Sequence, residues 1–166
     1  MSYIIVRQES PVLIIGQAPA QKDDRTSPLS GRTGRRLATL MNMDMEEFRT
    51  TFDRANLLNR FPGHRVGAGD AFPIQQATIN AHKLMQNNPP DNYRAVILLG
   101  KNVARAFNLQ NPEFFQWDRT HRPFTVVIPH PSGLNRWWNE KSNQRVARKF
   151  LNEMADQYFG ETYTRI

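Results

Sequence analysis

Val12-Leu13-Ile14-Ile15, Ala95-Val96-Ile97-Leu98-Leu99 and Thr125-Val126-Val127-Ile128 are three short, continuous apolar runs rich in β-branched residues. Continuous runs of this length suit strands buried on both faces of a parallel sheet. Each ends at Gly or Pro and is too short for an ordinary buried helix. Arg54 to Leu58 is a weaker fourth strand.

Helical patterns fill the intervals. Gly34 to Met41 places Leu37, Leu40 and Met41 at helical spacing. Asp70 to Gln86 carries Ile74, Ala77, Ala81, Leu84 and Met85, and Asn102 to Phe107 is a short helix. Asn139 to Tyr158 lines Val146, Ala147, Phe150, Leu151, Met154 and Tyr158 along one face, with Arg145, Arg148 and Lys149 beside them. Strands alternating with helices imply a layered α/β domain with a mostly parallel sheet. Such sheets bind ligands at the carboxyl ends of their strands, so the segments following the strands carry the functional information.

The first strand runs into Gly16-Gln17-Ala18-Pro19-Ala20, then Asp23-Asp24, then Ser27-Pro28-Leu29-Ser30-Gly31-Arg32-Thr33-Gly34. Gly and Pro make a tight turn that brings backbone close to a ligand. Asp23 and Asp24 offer a carboxylate that can accept a proton from water. Gly31 and Gly34 leave backbone N–H groups at a helix start, which suits phosphate. The same residues also suit an ordinary loop with a capping aspartate.

The last strand runs into His130-Pro131-Ser132-Gly133-Leu134-Asn135-Arg136-Trp137-Trp138. His130 can donate a hydrogen bond to a developing anion. Leu134 can wedge between bases and Arg136 can meet phosphate. A satisfied loop histidine, with Leu and Trp docked on the core, fits these residues as well.

The 166 residues fit one domain able to bury a core without covalent staples. Lys and Arg number 22 against 15 Asp and Glu, a formal net charge of +7. A basic surface attracts polyanions, nucleic acid foremost. With no cysteine, the chain has no disulfides, thiolate zinc sites or cysteine-ligated iron–sulfur clusters. His64, His82, His121 and His130 lack metal-ligand spacing, so no metal or other cofactor is expected. No apolar run approaches the roughly 18–20 residues of a membrane span. The expectation is a monomeric, intracellular protein in the cytoplasm or at the nucleoid.

Five segments resemble, in order and spacing, the motifs of the uracil-DNA glycosylase superfamily. Gly16-Gln17-Ala18-Pro19-Ala20 resembles its first motif, and His130 to Arg136 its closing His-Pro-Ser leucine loop. Asp23-Asp24 with Ser27 to Gly34 resembles the acidic pair and following segment of the thermophile-type branch. Asn56-Leu57-Leu58-Asn59-Arg60-Phe61-Pro62-Gly63 resembles the base-recognition strand end, and Val96 to Ala104 the third strand and its helix start. The match covers about residues 11 to 137.

The resemblance implies a single domain over residues 1–166, three layers α/β/α around a central four-stranded, mostly parallel sheet. It also implies a DNA glycosylase that flips an altered pyrimidine, such as uracil, out of single- or double-stranded DNA. In that reading His130 stabilises charge on the leaving base, while Asp23, with Asp24 second, positions water or balances cationic sugar character. Asn56 reads the base edge, with Asn59 a rival, and Gln17, Ala18 and Leu29 line the base pocket. Ser30, Gly31, Arg60, Lys101, Ser132, Leu134, Asn135 and Arg136 hold DNA.

The chain departs from the family pattern at three of these positions. It has Ala18 where single-domain members often carry Asp or Asn. Against the thermophile-type branch it has Gln17 for Glu and Leu29 for the Phe that stacks on the base, and it lacks that branch's cluster cysteines. An enzyme acting on a hypermodified base in viral or host DNA and a catalytically inactive DNA-binding module share this fold. A nucleotide-binding α/β protein is weakened by the missing G-x-x-x-x-G-K-[ST] pattern.

Overall fold

The computed structural model describes residues 1–63, 71–88, 90–132 and 135–160. In chain order the strands are β1 (Ile4–Val6), β2 (Val12–Gly16), β3 (Asp53–Asn56), β4 (Ala95–Leu99) and β5 (Phe124–Ile128). The helices are α1 (Arg32–Leu40), α2 (Met45–Thr51), α3 (Ile74–Asn87), α4 (Lys101–Ala106) and α5 (Lys141–Phe159).

Among the described residues the strands form one sheet in the order β1-β3-β2-β4-β5. The inner pairs β2–β3, β2–β4 and β4–β5 are parallel. The expected four parallel strands are therefore present, and a fifth corrects the count: β1 pairs antiparallel with the outer edge of β3, Ile4 opposite Asn56.

Alternation along each strand divides the core in two, because successive side chains point to opposite sheet faces. Val12, Ile14, Ala95, Ile97, Leu99, Val126 and Ile128 pack with Leu37 of α1, Phe48 of α2 and Leu151 of α5. Leu13, Ile15, Val96, Leu98 and Val127 pack with Ala77, Ala81 and Leu84 of α3 and Val103 of α4. Fully burying each Leu or Ile contributes about 1.5–3 kcal/mol. Helices on both faces make the fold a three-layer α/β/α sandwich.

Two polar anchors fix the β3 edge. Asp53 is 1% exposed and accepts hydrogen bonds from the amides of Gln8 (2.5 Å) and Ser10 (3.2 Å) and from the Tyr93 hydroxyl (2.6 Å). Burial, and next the bond to Asp53, push the Tyr93 phenol well above its usual range. Arg54 is also buried, and its Nη1 donates to the Pro28 carbonyl at 2.7 Å. Its burial, with Arg49 nearby, lowers the guanidinium pKa. The bond ties the loop between β2 and α1 to the sheet.

Candidate active site at the carboxyl edge of the sheet

The carboxyl ends of β2, β4 and β5 converge on a cleft of about 390 Å³. Gln17 enters it from β2, Gly100, Lys101 and Asn102 from the β4–α4 junction, and Pro129, His130, Asn135 and Trp137 from the segment after β5. Phe114 completes the lining. Such a volume lies within the range of small-ligand sites, about 300–1,000 Å³.

Local bonding sets His130 in place. Its carbonyl accepts from Asn135 Nδ2 (3.1 Å) and from the Trp138 indole Nε1 (2.8 Å), which closes the loop on itself. Asn135 Oδ1 accepts from the Trp137 amide at 3.1 Å and so starts the short 3₁₀ turn over Arg136–Asn139. Gly100 sits directly beneath, its amide donating to the Ile128 carbonyl at 2.8 Å. With φ at +93° and ψ at 168°, Gly100 holds a conformation nearly closed to other residues. A Cβ there would stand 2.9 Å from the His130 Cβ. The missing side chain at position 100 is what allows His130 its seat.

A second locus lies around Gly16. Leu57 and Leu58 amides donate to the carbonyls of Gly16 (3.1 Å) and Gln17 (2.9 Å), prolonging the β2–β3 ladder into the loops. Asn56, at the end of β3, is 2% exposed, and its Oδ1 is buried with no hydrogen-bond partner among the described residues. Leu29 lies next to it: a Cβ on Gly16 would meet Leu29 Cδ2 at 2.8 Å and Asn56 Oδ1 at 2.9 Å. Leu29 is 8% exposed and adopts φ +60°, a left-handed conformation unusual for a branched residue. Gly34 permits this, because a Cβ there would collide with the Leu29 carbonyl. Asn56 and Leu29 thus both lie against Gly16, and neither lines the open cleft. Asn59, the rival, donates from Nδ2 to the Ser2 hydroxyl at 3.1 Å, toward the N-terminus. Ala18 is half-buried against the α3–α4 side.

The two acidic residues differ. Asp23 is half-buried, and its carboxylate lies against Gly31, at the start of α1, where any Cβ would collide with it. It accepts a long bond from the Ala20 amide at 3.4 Å. Asp24 is exposed and closes its own turn, Oδ1 accepting from the Thr26 hydroxyl (2.6 Å) and amide (2.9 Å). Those two bonds hold the Asp24 carboxyl below the usual range. Neither aspartate is among the residues lining the cleft.

Of the expected DNA contacts, Lys101 and Asn135 line the cleft, with Lys101 Nζ 5.9 Å from the Phe114 ring centre. Ser30 and Ser132 are half-buried, Gly31 is buried as the residue preceding α1, and Arg60 and Arg136 are exposed outside the lining. Leu134, and with it His64 and Arg65, lies outside the described residues. Of the segment Phe114-Phe115-Gln116-Trp117, Phe114 faces the cleft, while Phe115 and Trp117 pack on Phe150. Gly100, Asn102 and Trp137 belong to the site without having been anticipated, as does Arg54 through Pro28. The signal for Arg54 was a cation inside an otherwise buried strand.

The three-layer α/β domain thus presents, at the carboxyl edge of its sheet, a cleft lined by Lys101, by the His130 loop and by neutral polar side chains. A model of the uracil DNA glycosylase superfamily matches residues 5–155, and the chain belongs to that superfamily. Membership implies a DNA glycosylase in general terms, a hydrolase whose substrate is DNA. No curated protein matched the chain. Among the described residues no helix is long and apolar enough to cross a membrane, and no three His, Cys, Asp or Glu side chains gather as a metal site.

Proposed function

We propose that the protein hydrolyses the N-glycosidic bond of uracil or a related altered pyrimidine in DNA, taking the nucleotide out of the stack to do so. The observation that carries this reading is the cleft in which Gln17 and His130 meet from the ends of β2 and β5, next to the buried, unpartnered carbonyl of Asn56. Extruding the base costs a few kcal/mol of unstacking, which contacts to the strand must offset. Breaking the bond between C1′ and the base nitrogen sends the electron pair to the base, leaving a cationic sugar that water captures. Donors must therefore face the base and negative charge must face the sugar. His130 serves as the donor toward the departing base. Asn56 Oδ1 is an acceptor suited to a pyrimidine N–H once Leu29 moves aside. Asp23 is the nearer of the two acids to a structured position and serves the sugar and water; Asp24, engaged with Thr26, comes second.

A second reading, a same-fold protein acting on a hypermodified base or binding DNA without excision, draws on one specific feature. Among the described residues no carboxylate lines the cleft, and Leu29 and the Asn56 amide both crowd Gly16. Alkali cleavage of oligonucleotides carrying uracil opposite G, uracil opposite A, uracil in single strands, or modified C and T separates these readings. Excision of one base, lost in His130→Ala with DNA binding kept, supports the enzyme. A wild type that binds every strand and cleaves none assigns the inactive module.

A further inference from the structure

A second cavity of about 320 Å³ lies on the α1–α5 side, lined by Arg35, Arg36, Thr39, Trp138, Gln144 and Arg148 together with Leu40. Three guanidinium-bearing residues surround it, and among the described residues no carboxylate does. Among the described residues none of the three arginines forms a salt bridge. Arg36 lies 5.3 Å from the Trp138 ring centre, and its Nη1 is buried with no hydrogen-bond partner among the described residues. Gathering like charges around one hollow opposes folding, and a half-buried guanidinium without a counter-ion adds desolvation cost. An oxyanion in the hollow relieves both terms, and guanidinium forks match phosphate oxygens.

Its position suggests which anion. Arg35 and Arg36 are the fourth and fifth residues of α1, which begins just after Gly31, and Arg148 stands on α5, which follows the His130 loop. Both helices leave the sheet edge that carries the cleft. The cavity wall is also bonded to that cleft: Gln144 Nε2 donates to the Trp138 carbonyl (2.7 Å) and Trp138 Nε1 donates to the His130 carbonyl (2.8 Å).

We propose that this cavity is a phosphate-binding subsite, occupied by a backbone phosphate of the DNA strand whose base enters the cleft. The assignment of DNA as the source rests on the proposed function; a free phosphorylated ligand is the other source of the same chemistry. Arg35 and Arg148 are exposed, so R35Q/R148Q removes two charges without opening the core, and R145Q, on α5 but outside the lining, shows what the loss of one charge elsewhere on α5 does. Binding of labelled oligonucleotides is measured by fluorescence anisotropy across a salt series, alongside melting of the protein with inorganic phosphate or pyrophosphate. One lost phosphate contact lowers the slope of log K against log salt by about 0.9 on duplex DNA. R35Q/R148Q should lose that much or more, and R145Q less than half of it. If the slopes of R35Q/R148Q and R145Q agree but pyrophosphate raises the wild-type melting temperature and not that of R35Q/R148Q, the DNA source is overturned and the free ligand takes its place. If neither measurement separates the variants, the subsite itself is overturned. A wild type that binds no DNA refutes the proposed function instead, and the pyrophosphate arm then decides the cavity alone.

Discussion

Gly100→Ala tests the claim that His130 is held by the absence of a side chain beneath it. Two costs arise. The first is conformational: φ +93° and ψ 168° fall in a region nearly reserved for glycine, and an alanine there costs about 1–3 kcal/mol. At roughly 2–4 °C per kcal/mol for a domain of this size, melting should fall by about 2–12 °C. The second is steric. The new Cβ would stand 2.9 Å from the His130 Cβ, about 0.6 Å inside the ~3.5 Å at which carbons pack. His130 must retreat, because position 100 is pinned to the Ile128 carbonyl. Displacements of order 1 Å at a reacting group cost up to about 10²-fold, so single-turnover excision should slow by about 10–100-fold while DNA affinity holds. Gly63→Ala is the control. Gly63 shares the φ of +93° but has nothing among the described residues within 4 Å of its would-be Cβ, so that variant should keep its rate. Wild-type excision by Gly100→Ala, or equal slowing by Gly63→Ala, refutes the reasoning.

Leu29 yields an inverted stability order. Its φ of +60° penalises any residue with a Cβ, so Leu29→Gly should melt no lower than Leu29→Ala, which reverses the usual ranking. Both should admit bulkier pyrimidines to Asn56, read as relative kcat/KM across the oligonucleotide panel; unchanged base preference in both removes Leu29 as the cover. Arg54→Met removes the donor to the Pro28 carbonyl, an orphaning worth about 1–3 kcal/mol, but also removes a buried charge. The net change in melting should be small while KM rises, and an unaltered KM would detach Arg54 from the loop's positioning. Tyr93 makes stability pH-dependent at the alkaline end. Its pKa is raised in the fold, so the neutral phenol's contribution is intact below about pH 10, the free tyrosine value, and is lost as pH rises above it. Wild type should therefore lose melting temperature more steeply than Tyr93→Phe above pH 10, and parallel curves would refute the assignment.

Much of this architecture was legible because burial on both faces leaves a plain signature. Val12–Ile15, Ala95–Leu99 and Val126–Ile128 are continuous apolar runs, and they fall in β2, β4 and the edge strand β5. The weak strand expected over Arg54 to Leu58 runs instead over Asp53–Asn56, and its signature is faint because its face toward α1 and α2 carries Arg54 and Asn56, polar groups held there by Pro28 and the Gly16 locus. β1 escaped notice because three residues carry no periodicity; its pairing to β3 is a tertiary fact. α2 did have a local sign: Asp44 and Glu47 form a reciprocal capping box, with bonds of 2.8 Å in both directions. Of the residues that motif reading names, Gln17, Lys101, His130 and Asn135 line the cleft, and Asn56 lies buried against Gly16. Motif reading does not reach the seating of Leu29 against Gly16, because that depends on a left-handed residue and on Gly34 standing clear of its carbonyl.

The division of charge around the cleft bears on how the reaction is organised. His130, Lys101, Asn102, Gln17 and Asn135 bring donors to the hollow, and among the described residues no acid lines it. Donors alone stabilise a departing base anion and a phosphate backbone; they do nothing for a cationic sugar, which needs negative charge within a few ångströms. The strand itself supplies some, since its phosphates flank the sugar. In the proposed reaction the protein's share falls to Asp23, whose loop Arg54 bonds to the sheet through Pro28 and whose carboxylate lies against Gly31 at the start of α1. That tether makes the aspartate a fixed charge, so docking brings the sugar to the acid. Asp23→Asn should then lower kcat with little change in KM, because the charge matters only as the sugar becomes cationic. A variant that raises KM and leaves kcat untouched would assign Asp23 to substrate binding and leave the strand's own phosphates as the counter-charge.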